Sequence, residues 1–546
     1  MRLYNKSFIL LWALTLLTHF GHAQLFQKQK PPKDWFLLDP ETDQYQGLSV
    51  NRAYELLKNQ PSQPVIVAVV DTGIDIDHED LKSVIWVNED EIPNNGIDDD
   101  KNGYADDVNG WNFIGGKSGS VNEDTYEITR EYVRLNRKFA TVDLKKLSKK
   151  DRLEYARFEL VRQKWEEKRA ENEEQYKVLS RLYSNFQFSL DTLRKYLKKD
   201  VTADGLMEVR SSDPNIIFAK SFLNAFFSNA NGSTPQEQLE ELKDAYDAYK
   251  SAYEVSSNPD FDPRSVVGDN YQDPFERNYG NNNVKPLPGP VADHGTHVAG
   301  IIAADRKNNV GIQGIAHNVK IMVIRAVPNG DERDKDIANS IYYAVDNGAK
   351  IINMSCGKTE SPQKEAVDKA VQYAEAKGVL IVHAAGNESS DNDQVTHYPS
   401  AIYNNGKEAK NWLNVGASSW GEGEDFIGSF SNFGKKTVDI FSPGVAIYST
   451  VPGSGYKNHD GTSMAAPTVA GVAALLMSYF PELTAVDIRN ILTESSRKFD
   501  GIMVEQPGSK KVVPFGTLSK TGGIVNAYDA VKLAMKKREE KKTDSR

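Results

Sequence analysis

Three short strings carry side chains suited to acid–base and nucleophilic chemistry: Asp71-Thr72-Gly73, His294-Gly295-Thr296-His297 and Gly461-Thr462-Ser463-Met464-Ala465-Ala466-Pro467. Each is ordinary alone, because Asp-Thr-Gly occurs in other catalytic settings, a histidine is more often structural, and Gly-Thr-Ser also caps helices. Together they offer a carboxylate, a base and a hydroxyl nucleophile, the set that cleaves acyl bonds by covalent catalysis. Asp71 closes an apolar run, and Ser463 opens a helical pattern whose first N–H groups would face an anion. His297, three residues beyond His294, competes for the role of base but is expected to face the core, while His78, His317, His383, His397 and His459 lack the Gly-Thr context.

A second group, from Asn94 to Asp107, is dense in hard oxygen donors. Asp98, Asp100 and Asn102 followed by Gly103 fit the first half of a calcium loop, with the Tyr104 carbonyl as a further ligand. The twelfth position is Asn109 where such loops carry a bidentate Glu, so Asp106 or Asp107 has to close the shell. The alternative is a solvated acidic turn. With one cysteine, Cys356, the chain forms no internal disulfide and no cysteine-based zinc site, so a structural Ca2+ ion is a plausible source of stability.

These residues need a scaffold. β-Branched apolar runs at 65–71, 320–327, 350–355 and 379–383 predict buried strands. Between them Ile337, Ile341 and Val345 recur with helical spacing up to Gly348, and a second helix opened by Ser361-Pro362 runs through Val367, Ala370 and Ala374 to Gly378. Alternation at this period predicts an α/β fold, a parallel sheet with helices on both faces and ligands at the carboxyl ends of its strands.

One region breaks the alternation. No Gly or Pro occurs from Ser120 to Asp204, and residues 131–200 hold 19 Lys and Arg against 12 Asp and Glu, a net +7 that leaves −17 for the rest. Such a stretch predicts helix. Leu179, Leu182, Phe186, Leu190, Leu193 and Leu197 share one helix face. Thr234-Pro235-Gln236-Glu237 is a capping box that opens another helix, with Leu239, Leu242, Tyr246, Tyr249 and Tyr253 at matching spacing. The resulting organisation is 1–23 signal peptide, 24–119 first part of the catalytic domain, 120–258 inserted α-helical subdomain, 259–535 second part of the catalytic domain, and 536–546 charged tail. The insertion is either a solvated hairpin or a docking arm for a protein partner.

Composition excludes several classes. At 546 residues, 39% hydrophobic and 26% charged, the chain is neither disordered nor a membrane bundle, and a net charge of −10 argues against nucleic acid as a partner. Arg2 and Lys6, an apolar run from Phe8 to Leu17 and Gly21-His22-Ala23 have the pattern of a secretory signal cut before Gln24. The run is shorter than the roughly 20 residues of a membrane span, and no cysteine follows the cut to carry a lipid. The expectation is a secreted protein, periplasmic or extracellular, with no membrane anchor after cleavage.

The motifs resemble those of the subtilases, the subtilisin-like serine peptidases. DTGIDIDHEDL (71–81), HGTHVAGIIA (294–303) and GTSMAAPTVAG (461–471) match the three signatures of that family, AAGNE (384–388) its oxyanion-hole motif and MSCG (354–357) its substrate-binding strand. Tyr398-Pro399-Ser400 resembles the loop closing the specificity pocket. The resemblance covers about 35–118 and 265–500 and leaves out the helical insertion. It implies a serine-type endopeptidase acting on protein or peptide substrates, with Asp71, His294 and Ser463 as triad and Asn387 as oxyanion donor. It also implies Ser355, Cys356 and Gly357 as the strand that binds extended substrate, and Asp80 as ligand of a further calcium site. Cys356 then either exposes its thiol to the cleft or packs beneath the strand.

Two departures stand out. Subtilases usually separate Asp and His by a few dozen residues, against 223 here, and the lead-in from Gln24 to Asp71 is too short for the usual inhibitory propeptide, so the insertion is expected to act as a lid or folding aid. Alternatives to a general endopeptidase are a processing peptidase or transpeptidase acting on one partner, or a peptide-binding pseudoenzyme.

Overall fold

The computed structural model describes residues 31–228, 234–421, 423–499 and 501–544. The expected signal peptide, 1–23, lies outside the described residues. The described residues divide into two compact units, one of 31–168 with 254–544 and the other within 169–253.

The larger unit is built on a nine-stranded sheet. Its strands are β1 (Val65–Asp71), β2 (Gly110–Asn112), β3 (Val319–Arg325), β4 (Ile351–Met354), β5 (Leu380–Ala384), β6 (Trp412–Ser418), β7 (Ile440–Pro443), β8 (Arg497–Lys498) and β9 (Gly523–Ile524), in spatial order β8-β9-β7-β6-β5-β4-β1-β3-β2. All pairings are parallel except the antiparallel edge pair β8–β9. The register sets Asp71 beside Arg325, Val70 beside Met354 and Met354 beside His383, so neighbouring strands deliver their carboxyl ends to one edge. Being buried on both faces, these strands read as continuous β-branched runs. β6 and β7, with Gly416, Ser418 and Ser442 in place of such runs, gave no comparable signal.

The helices used below are α1 (Glu127–Phe139), α2 (Lys149–Leu197), α3 (Pro214–Phe227), α4 (Pro235–Ser251), α5 (His294–Ala303), α6 (Asp334–Asp346), α7 (Lys364–Ala376) and α8 (Thr462–Tyr479). One apolar layer joins α5 and α8 to one sheet face through Val298, Ile301, Ile302, Val469 and Val472. The other joins α6 and α7 to the opposite face through Ile337, Ile341, Val367 and Ala370. α8 is long and apolar enough to cross a membrane but is buried in this core.

The Gly- and Pro-free stretch is not one helix. Asp143 accepts a hydrogen bond from Lys145 N at 3.0 Å and Ser148 one from Asp151 N at 3.1 Å, and these local caps compete with helix to break the chain between α1 and α2. α1 and the first turns of α2 compact with the larger unit around Leu135, Phe139, Phe158 and Val161, and Trp165 stacks on Tyr132 with centroids 4.0 Å apart.

In the smaller unit Phe186, Leu190 and Leu193 of α2 are buried against Ala219 and Leu223 of α3, with Leu239 and Leu242 of α4 packed on the same cluster. The Thr234–Glu237 capping box forms, and Tyr246 lies 5.8 Å from Tyr176 and 5.2 Å from Tyr183.

Candidate active site

β1 ends on Asp71, whose side chain is buried, and α5 begins on His294. The Asp71 Oδ1 to His294 Nδ1 distance is 2.7 Å. This contact requires glycine at the second residue of α5, because a Cβ on Gly295 would lie 2.2 Å from the Gly73 carbonyl. Thr72 fixes the turn, donating its N–H to Asp71 Oδ1 at 2.8 Å and accepting from Gly295 N at 3.2 Å. Arg325, at the end of β3, donates to the Thr72 carbonyl at 3.0 Å and the Val121 carbonyl at 2.8 Å. Burial pulls the His294 pKa down, but the Asp71 charge and hydrogen bond together hold it above its ordinary value.

His297 has a different environment. It is fully buried, its Nε2 lies 3.1 Å from the Lys457 carbonyl, and burial with the neighbouring His459 pushes its pKa well below the ordinary value. It is a packed, neutral core histidine.

Ser463 stands in the first turn of α8, one strand-end away from Asp71. Its hydroxyl donates to the Ser355 carbonyl at 3.1 Å, and the Ser355 hydroxyl donates back to the Ser463 carbonyl at 2.8 Å, tying the segment after β4 to the start of α8. Asn387 follows β5. Its Oδ1 accepts from Thr462 N and Thr462 Oγ1, both at 2.9 Å, and its Nδ2 shares the surroundings of Gly461 with the Ser463 N–H: a Cβ on Gly461 would lie 3.6 Å from the first and 3.5 Å from the second. A carbonyl attacked by Ser463 would find that amide and the Ser463 N–H on one side.

Ser355, Cys356 and Gly357 extend β4 past the sheet. Cys356 is half-buried and packs on the α6–α7 core layer, and burial pushes its thiol well above the ordinary range, so little thiolate forms. Lys358 comes next and is buried. Its Nζ lies 2.7 Å from Glu127 of α1 and 2.9 Å from Asp334 of α6, and donates to the Glu332 carbonyl at 2.7 Å. Burial alone would raise the Glu127 pKa, but Arg130 and Lys358 hold it at about 2. α1 is thus anchored beside the segment that extends β4. Neither Glu127 nor Lys358 carries a motif, since pairing across 231 residues leaves no local trace.

In the acidic loop the carboxylates of Glu91, Asp100 and Asp107 converge, with one ligand atom from each lying within 4.8 Å of the others. Asp107 is fully buried, with Tyr343 Oη at 2.6 Å, Asn88 Nδ2 at 2.8 Å and Asn102 Nδ2 at 3.0 Å, and burial raises its pKa. Asp98 accepts from the backbone of Asn102 and Gly103, and Asp106 from Asn95 and Gly96, so both fold the loop. Glu91 was not foreseen: it precedes the loop motif and joins it only through accepting the N–H groups of Asp99, Asp100 and Asp106. Tyr104 buries its ring against Trp111 and Tyr343. Asp80 lies away from this cluster, accepting from Asn308 Nδ2 at 2.7 Å and Ile312 N at 2.9 Å.

Residues 62–522 match the model of the subtilase family. A thermophilic serine proteinase of Bacillus sp. strain AK1 is 38% identical over 280 residues, covering 50% of this chain and 58% of that protein. Thermitase of Thermoactinomyces vulgaris is 36% identical over 277 residues, 50% of this chain and 84% of thermitase. Subtilisin DY of Bacillus licheniformis is 38% identical over 206 residues, 37% of this chain and 70% of that protein.

Proposed function

This chain belongs to the subtilase family of serine peptidases, and we propose that it is an exported serine endopeptidase that hydrolyses protein or peptide substrates through Asp71, His294 and Ser463. The observation that carries the reading is the 2.7 Å Asp71–His294 pair at the end of β1, with Ser463 tied to the segment after β4 and Asn387, after β5, tied to Thr462 beside it.

The chemistry follows from these positions. The Ser463 hydroxyl swings from the Ser355 carbonyl to His294 Nε2 as substrate enters, and Oγ attacks the scissile carbonyl while His294 takes the proton. Asp71 holds the imidazole with Nε2 unprotonated and stabilises the imidazolium that forms. Asn387 Nδ2 and the Ser463 N–H bind the oxyanion, His294 returns its proton to the leaving amine, and water repeats the sequence on the acyl-enzyme. Ser355 to Gly357 bind the substrate backbone as an added strand, which reads shape more than sequence.

Glu91, Asp100 and Asp107 suit a calcium ion. They supply hard carboxylate oxygens at a separation a single ion can span, and a cation would relieve the cost of burying Asp107 near Asp100. Its role would be to rigidify the loop.

The test is labelling of the mature protein by a fluorophosphonate probe, with Ser463→Ala as control. Labelling confined to Ser463 and degradation of a denatured protein are expected. A folded, calcium-loaded sample that takes no label and cleaves nothing would refute the reading.

A further inference from the structure

The segments that continue β4 and β5, Ser355–Gly357 and Ala385–Asn387, flank a gap filled by the imidazole of His397. A Cβ on Gly357 would lie 2.0 Å from His397 Cε1 and 2.7 and 2.8 Å from its ring nitrogens, and one on Gly386 would lie 2.9 Å from Nε2. The ring therefore spans the gap from one glycine to the other. The next residue, Tyr398, is held by an antiparallel bridge, Tyr398 N to the Lys358 carbonyl at 2.7 Å and Lys358 N to the Tyr398 carbonyl at 2.9 Å.

The side chain of His397 is 7% exposed. Behind it stands His383, 5.7 Å away between centroids, itself packed against Trp412. Glu388 Oε2 lies 3.9 Å from His397 Nε2 and is tied to Asn432 Nδ2 at 2.6 Å. Burial drives the pKa values of His397 and His383 down to about 4 and about 3, so both rings are neutral near pH 7.

The substrate's path makes this gap matter. A chain paired along Ser355–Gly357, with its scissile carbonyl between Ser463 and Asn387, has one residue on the acyl side of the bond whose side chain is directed between the two flanking segments, because side chains alternate along an extended strand. That side chain meets the His397 ring. We propose that His397 determines specificity by occupying the pocket for this residue, so that the enzyme cleaves after glycine, alanine and serine and rejects phenylalanine, tyrosine and leucine there. The proposal rests on the peptidase reading above.

The experiment uses the full, calcium-loaded protein and a pair of peptide amides that differ only in alanine or phenylalanine before the scissile bond. The expected kcat/KM ratio favours alanine by at least tenfold. In His397→Ala and His397→Gly the ratio, whatever the absolute rates, should swing at least tenfold toward phenylalanine. Fragment ends from a digested denatured protein, read by mass spectrometry, give the parent's preference without any variant and should be dominated by small residues. Parent cleavage after phenylalanine or leucine as fast as after alanine would overturn the proposal, because the ring would then be swinging aside. So would variants that cleave with an unchanged ratio. A parent that takes no fluorophosphonate at Ser463 and cleaves neither peptide would refute the peptidase reading itself, an outcome distinct from labelling at Ser463 with the wrong preference.

Discussion

Replacing Lys358 with methionine keeps most of the side-chain volume and removes one buried charge. In the parent the ammonium touches Glu127 at 2.7 Å and Asp334 at 2.9 Å, and the three side chains are 1%, 2% and 4% exposed. Removing the shared cation leaves both carboxylates buried. Breaking one buried pair costs about 3–5 kcal/mol. Glu127 keeps Arg130 at 2.7 Å and Asp334 keeps the Gln363 N–H at 2.8 Å, so the cost should fall at about 4 kcal/mol and not at twice the single-pair figure. Glu127→Gln should cost less, about 2–3 kcal/mol, because Lys358 retains Asp334 and Arg130 retains Asp124 at 3.6 Å. The double variant should be less destabilised than the sum of the two by about 1–3 kcal/mol, the mark of a direct interaction. The assay is urea unfolding followed by tryptophan fluorescence in a Ser463→Ala background, which removes self-digestion. A Lys358→Met variant within about 1 kcal/mol of the parent, or strict additivity, would refute the account of α1 as an electrostatically anchored neighbour of the segment after β4.

Three further outcomes follow from the site. On the proposed mechanism activity requires neutral His294, and because Asp71 holds the imidazole pKa above its ordinary value, kcat/KM should fall as pH drops through a limb above 6.5; Asp71→Asn should lower kcat about 10⁴-fold and move that limb down, and an unmoved limb would remove Asp71 from the role. Burial raises Glu332 from 4.5 to about 7, with Asp331 adding to it against the pull of Lys358, so the folded protein holds a proton that the unfolded chain has lost across that window and stability declines as pH rises through it; Glu332→Gln should gain on the parent between pH 4.5 and 7 by on the order of 3 kcal/mol, seen as diverging urea midpoints. Calcium at about 100 times its Kd should stabilise the parent by about 2.7 kcal/mol, Glu91→Gln should abolish that shift in thermal unfolding, and Asp106→Asn should retain it; equal calcium responses in parent and Glu91→Gln would discard the three-carboxylate site.

How far the primary structure reaches is visible residue by residue. Strands β1, β3, β4 and β5 were legible as β-branched runs because a strand buried on both faces needs apolar side chains at every position, and α6, α7 and α4 because apolar spacing and caps are local codes. Asp71, His294, Ser463 and Asn387 were legible because each sits at the end of a strand or the start of a helix, where the backbone constrains the neighbouring residues into recognisable strings. The three-carboxylate cluster was half legible: Asp100 and Asp107 lie in the acidic string, whereas Glu91 enters through three backbone amides that only the folded loop presents. The break between α1 and α2 hid in a stretch without Gly or Pro because Asp143 and Ser148 act through side-chain hydrogen bonds that propensity sums do not register.

Residue types at fixed local offsets were thus enough to reach the α/β scaffold and the family, and to motivate the proposed acyl chemistry. Tertiary structure alone decided that His297 is a buried neutral ring, that Cys356 packs as a suppressed thiol, that Lys358 reaches across 231 positions to Glu127, and that His397 fills the gap between Gly357 and Gly386. Each is a matter of which distant surfaces meet and how much water they exclude. Contact and desolvation are properties of the packed chain, and no window of neighbouring residues encodes them.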